Sequence, residues 1–155
     1  MELIKPPHPF EEKIKDFPYI IFLAGSIEMG MADDWQKRFA EQLKDKNVLL
    51  LDPRRDDWNS AWNQSMDNAF FKEQVAWEQK GMERANLVAL YFDPHTESPI
   101  SLLELGEYAK SGKLIVCCPA GFWKKGNVDF ICEYNGIPKV ETFEELIAAV
   151  KRKMK

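Results

Sequence analysis

Four short stretches carry side chains of a kind that does chemistry. In SPISLLELG, residues 98–106, Glu104 stands among Ile100, Leu102, Leu103 and Leu105, where the pattern otherwise wants apolar side chains. An ionised carboxylate there gains from a helix N-terminus and loses hydration. It is therefore either an ordinary glutamate reaching solvent or a group held at a strand end for a purpose. Glu107, three residues on, shares the helix face and competes for the same role. Ala76-Trp77-Glu78 sets a second acid beside a large aromatic. An acid against an apolar ring holds its proton longer, as a general acid must; the plain alternative is an exposed helix glutamate. The run Asp52-Pro53-Arg54-Arg55-Asp56-Asp57-Trp58 puts a ring beside guanidinium and carboxylate groups. Such a set stacks on a flat heterocycle and binds its polar edge, or it makes only local ion pairs in a surface loop. Gly25-Ser26-Ile27-Glu28-Met29-Gly30 follows an apolar run, and its glycines either bring backbone close to a ligand or simply turn the chain.

The elements that must position these residues alternate along the chain. Continuous apolar runs at 19–24, 48–51, 87–92 and 114–118 read as strands buried on both faces, and a fifth short strand falls near 129–131 or 138–140. Helical patterns run from Asp33 to Lys46, from about Met66 to Arg84, from Pro99 to Ser111 with Gly112 as cap, and from Thr142 to Lys153. Thr142 and Glu145 form a capping box. The first eighteen residues, with prolines at 6, 7, 9 and 18, read as an irregular segment over the surface. One domain follows, an α/β three-layer sandwich of flavodoxin-like or Rossmann-like type with a mostly parallel five-stranded sheet. Ligands in such sheets bind beyond the C-terminal strand ends, here Gly25-Ser26, Asp52 to Trp58, Asp93 to Ser98 and Pro119 to Asn127, with Glu104 just past the third of these.

Composition narrows the function. The chain has 155 residues, 45% hydrophobic, with a net charge of −4, which offers no basic footprint for a nucleic acid polymer or an anionic membrane. No apolar run is long enough to span a membrane and no leader pattern opens the sequence, so a soluble, cytoplasmic protein is expected. No G-x-G-x-x-G and no P-loop occur. Cys117, Cys118 and Cys132 read as small core residues rather than a disulfide framework, a catalytic thiol being the alternative. Two histidines make a histidine-rich metal site improbable, and no metal or cofactor is expected.

The segments FLAGSIEMG, WEQKGMERANLVALYF and SPISLLELGEYAKSGK, in this order and spacing, resemble the nucleoside 2-deoxyribosyltransferase family in its shorter branch, from Ile21 to about Asn127. The resemblance implies that Glu104 is a nucleophile that attacks the anomeric carbon of a 2'-deoxynucleoside. It would release the base and hold a covalent deoxyribosyl intermediate until another base attacks. It also implies that Glu78, eight residues before Asn86 and matching a family aspartate, binds the base edge and exchanges a proton with it. Ser98 stands where the family often has an aspartate for sugar or base, replacing part of its hydrogen bonding but not its charge. Ile21 or Phe22 stands near a tyrosine of many members. Asn127, in KKGNVD, resembles an asparagine contributed across a subunit interface, which implies a homo-oligomer, a dimer or a trimer of dimers, with shared active sites. Gly25, Ser26, Asp52, Arg54, Trp58, Trp77, Ser98 and Asn127 are the expected substrate-binding residues. The partners implied are a 2'-deoxynucleoside and a free nucleobase, in nucleoside salvage. Related hydrolases of deoxynucleoside 5'-monophosphates tend to follow GSI with an arginine, where this chain has Glu28. A module that keeps the fold without the chemistry is the remaining alternative.

Overall fold

The apolar runs pair edge to edge in the computed structural model, which describes residues 1–28 and 32–155. Gly30, considered above with the first glycine run, lies outside the described residues. The strands are β1 (Glu2–Ile4), β2 (Ile20–Gly25), β3 (Leu49–Leu51), β4 (Leu87–Tyr91), β5 (Leu114–Cys117) and β6 (Lys139–Val140). The α-helices are α1 (Trp35–Gln42), α2 (Ala69–Arg84), α3 (Pro99–Tyr108), α4 (Lys125–Asn135) and α5 (Phe143–Lys153). Every strand pair is parallel, in the order β1-β3-β2-β4-β5-β6. Strands buried on both faces have no polar side to show, which is why these runs lack alternation. Phe22, Leu51, Val88, Leu90 and Val116 pack on one face beneath Trp77 and Met82 of α2, Leu105 of α3 and Val128 of α4. Ile21, Leu23, Leu50, Ala89 and Ile115 pack on the other beneath Trp35 and Phe39 of α1 and Leu146 and Val150 of α5. The result is three layers.

Two expectations are corrected, the five-stranded sheet and the wholly irregular first eighteen residues, and one alternative is resolved. The sheet has six strands rather than five, because residues 2–4 complete an edge before the first proline. Glu2 N donates to Val48 O, and Asp52 N donates to Ile4 O. Residues 129–131 are helical: Val128 and Cys132 are buried four apart on α4, and Gly136, at φ 66°, closes that helix. The short strand falls at the other candidate position. The capping box of Thr142 and Glu145 is present as expected. Among the described residues, no helix is long and apolar enough to cross a membrane.

The chain leaves β2 for β3 on one side and returns past it to β4 on the other, so the order reverses between β2 and β4. A crevice must open beyond their C-terminal ends. Gly25, the last residue of β2, sits there at φ 136° opposite Tyr91. A Cβ on it would lie 2.2 Å from the Tyr91 carbonyl oxygen. The close approach that requires glycine is therefore between strands. Gly106, on α3, has open space around its Cβ position. Urea unfolding should show Gly25→Ala losing about 2 kcal/mol or more, and Gly106→Ala gaining about 0.5–1 kcal/mol. Equal effects at both positions would contradict this reading.

Candidate active site

The crevice is a cavity of about 490 Å³. One wall comes from the end of β2 (Gly25, Ile27, Glu28) and the start of α3 (Ser98, Ser101, Glu104); the other comes from the loop after β3 (Arg54, Trp58) and from α2 (Phe71, Gln74, Val75, Glu78). Glu104 is only 9% exposed, whereas its sequence neighbours Ile100 and Leu103 are 57% and 66% exposed. Successive helix residues point about 100° apart, so the leucines that flank Glu104 in sequence do not surround it in space. Ser101, one turn earlier, shares its cavity face. Glu107 is exposed and accepts a hydrogen bond from Gln79 Nε2 at 3.1 Å, which settles the competition between the two acids in favour of Glu104 as the cavity residue.

Burial, followed by the nearby negative charges of Glu78 and Glu107, pushes the Glu104 carboxyl well above the usual carboxylate range. Glu78 is pushed up to about 7 by burial, against the stabilising effect of a 2.7 Å hydrogen bond from Gln74 Nε2. That same nitrogen donates to the Pro53 carbonyl at 2.9 Å, so Gln74 ties α2 to the loop after β3 and fixes one oxygen of Glu78 as an acceptor. Two carboxyls in one poorly hydrated space do not both ionise near neutrality; they titrate as a pair that retains a proton.

A cluster of hydroxyls sets the start of α3. Ser26 Oγ accepts from Asp93 N at 2.8 Å and lies 2.5 Å from Ser98 Oγ, and Thr96 Oγ1 lies 3.0 and 2.7 Å from the two serine oxygens. Ser98 adopts a left-handed φ of 47°, unusual for a residue with a side chain, and its N–H donates to Glu28 Oε1 at 2.7 Å.

Of the expected binding residues, Gly25, Arg54, Trp58 and Ser98 line the cavity together with both acids. Ser26 lies behind the wall in the hydroxyl cluster. Asp52 is buried away from the cavity, accepting from Arg54 N at 2.9 Å with Lys5 Nζ at 3.8 Å; burial pushes its carboxyl up to about 6. Trp77 packs on Phe10 and Phe22 and donates from Nε1 to the His8 carbonyl at 2.8 Å. It faces the core while Glu78 faces the cavity, so Glu78 owes its raised pKa to the enclosure rather than to the adjacent indole. Asn127 is exposed on α4, outside the cavity wall of its own chain. Arg54 donates to the Ala32 and Asp33 carbonyls at 2.9 and 3.2 Å, and Arg55 pairs with Asp57 and Glu73 at 2.7 and 2.9 Å. Gln74, Phe71 and Val75 escaped the sequence reading; the signal was their spacing from Glu78 along one helix face.

The three thiols are buried and free, Cys117 pushed up to about 12 and Cys118 and Cys132 to about 11 by burial, which makes them core residues rather than thiolate nucleophiles. Among the described residues, no group of three or more histidine, cysteine, aspartate or glutamate side chains is placed to hold a metal ion.

The structure resembles the crystal structure of a conserved protein from Enterococcus faecalis V583, with a TM-score of 0.61 at 17% identity over 87% of this chain and 98% of the other. At that identity the likeness concerns the fold alone. No curated protein matches the chain significantly. The family model described as nucleoside 2-deoxyribosyltransferase like matches residues 18–122, which include every residue of the cavity wall named above. The chain therefore belongs to the nucleoside 2-deoxyribosyltransferase-like family.

Proposed function

We propose that the protein transfers 2-deoxyribose between nucleobases, with Glu104 as nucleophile and Glu78 as the acid–base group. The observation that carries this reading is the buried Glu104 carboxyl, without a hydrogen-bond partner among the described residues, sharing one cavity with a second raised carboxyl. Such a group costs stability and is retained where positive charge develops beside it. In the first half-reaction the base lies against Trp58, Phe71 and Val75, and Glu78 gives its proton to a ring nitrogen as the C1'–N bond breaks. The oxocarbenium character at C1' draws the pair's negative charge onto Glu104, whose oxygen bonds to C1'. In the second half-reaction another base attacks C1', its proton passes to Glu78, and the Glu104 ester is released as carboxylate. Two displacements leave the anomeric configuration as it began. The exposed apolar residues Ile100 and Leu103 of α3 and Phe130 and Tyr134 of α4 support a homo-oligomer in which Asn127 reaches the site of a second copy.

Incubation with deoxyinosine and free adenine should produce deoxyadenosine, and Glu104→Ala should reduce that rate at least ~10³-fold. Free deoxyribose without exchange would make the protein a hydrolase, and activity near the wild-type level in Glu104→Ala would remove the assigned nucleophile. With Glu78 near 7, kcat/KM should fall as pH rises past about 7, because the proton for the leaving base is lost. Glu78→Gln should lower kcat by roughly 10²–10⁴ and remove that alkaline limb. An unchanged limb would assign it to another group.

Stability moves with pH in the same direction. The raised Glu104 and Glu78 carboxyls bind more protons in the folded than in the unfolded state. Their stabilising contribution is complete below the unfolded carboxyl pKa and is lost as pH rises through the folded values. Thermal melts should therefore show Glu104→Gln gaining more Tm over wild type at pH 8 than at pH 5. An equal difference at both pH values would contradict the assignment.

A further inference from the structure

We propose that Glu28 selects nucleosides that lack a 5'-phosphate, its carboxylate accepting a hydroxyl of the sugar and repelling a phosphate at the same place. The proposal rests on the placement of base and anomeric carbon given under Proposed function. With the base on the α2 side of the cavity and C1' at Glu104, the sugar has the remaining wall to itself, formed by Gly25, Ile27, Glu28 and residues 98–101.

The Ser98 N–H, at the N-terminal end of α3 where the helix dipole favours negative charge, would otherwise attract an anion. The protein's own carboxylate already occupies the position, since Glu28 Oε1 takes the N–H of Ser98 at 2.7 Å. Its other oxygen stays available to a neutral donor such as a hydroxyl. Both residues of this contact hold a positive φ, 48° at Glu28 and 47° at Ser98, a conformation uncommon for residues with side chains. Ser98 is six positions before Glu104, and its hydroxyl is occupied within the cluster with Ser26 and Thr96. Glu28 thus brings from another loop the negative charge that the serine lacks.

A phosphate placed here would also lack a free cation. Arg54 and Arg55 are the cationic residues on the cavity wall among the described residues. Arg54 holds the Ala32 and Asp33 carbonyls with the Asp34 carboxylate 3.7 Å from its Nε, and Arg55 holds Asp57 and Glu73. A phosphate brings about two negative charges, so its repulsion by a fixed carboxylate is strong in a partly desolvated site.

Calorimetric binding of 2'-deoxyadenosine and of its 5'-monophosphate to wild type, Glu28→Gln and Glu28→Ala tests this without relying on turnover. Glu28→Gln keeps an acceptor for Ser98 N and removes only the charge. Wild type should prefer the nucleoside by at least ~10-fold, and both variants should narrow that ratio by ~10-fold or more. A ratio unmoved in both variants, or equal binding of the two ligands by wild type, overturns the proposal. Should the ratio shift while base exchange is absent, the proposal stands and the transfer reading fails. Base exchange with an unmoved ratio means the reverse, and failure of wild type to bind either ligand overturns both.

Discussion

Two carboxyl groups enclosed in one cavity cannot both be charged without large cost, and the structure around Glu78 and Glu104 is arranged about that constraint. Gln74 holds one oxygen of Glu78 and anchors itself on Pro53, while Glu104 is left without such a donor. The asymmetry matters for the proposed chemistry: the Gln74 donor favours ionisation of Glu78, while Glu104, without one, holds its proton more tightly. In the proposed transfer, positive charge at the sugar would draw the negative charge onto Glu104 and leave the proton on Glu78.

The fold supplies the enclosure. Parallel strands force the chain to cross over the sheet, and the reversal of order between β2 and β4 leaves a gap that neither α1 nor α2 fills. Into that gap α3 presents its N-terminal turns, its start held by hydrogen bonds among the Ser26, Thr96 and Ser98 hydroxyls and by the Glu28 carboxylate on Ser98 N. Burial of Ile21, Phe22, Leu50, Leu51, Val88 and Leu90 holds the strand ends that carry these loops. The core residues thus fix where the two acids meet.

Much of this was legible in the sequence, and the failures have physical causes. Apolar runs without alternation identified the central strands, because burial on both faces leaves no polar positions. Residues 2–4 hid a strand because three residues ahead of a proline carry almost no pattern, and their pairing with β3 is settled by tertiary contact. Glu104 stood out because a carboxylate among leucines conflicts with its surroundings. Trp77 misled because adjacency in sequence is divergence on a helix, whereas Gln74, one turn from Glu78, was the true neighbour. Asp52 reads as a site residue from its loop but serves as an internal acceptor joining that loop to the N-terminal segment. Glu28 was legible only as a departure from an arginine, since its partner Ser98 lies seventy residues away.

The most direct test of a nucleophilic Glu104 is to trap the sugar on it. A 2'-deoxy-2'-fluoro nucleoside slows both displacements by destabilising the oxocarbenium-like transition state, so the covalent intermediate should accumulate. Mass spectrometry of a proteolytic digest should find the fluorinated sugar on the peptide containing Glu104, attached to that residue and absent from Glu104→Ala. An adduct on any other residue, or turnover of natural deoxynucleosides by a protein that never forms one, would contradict the account.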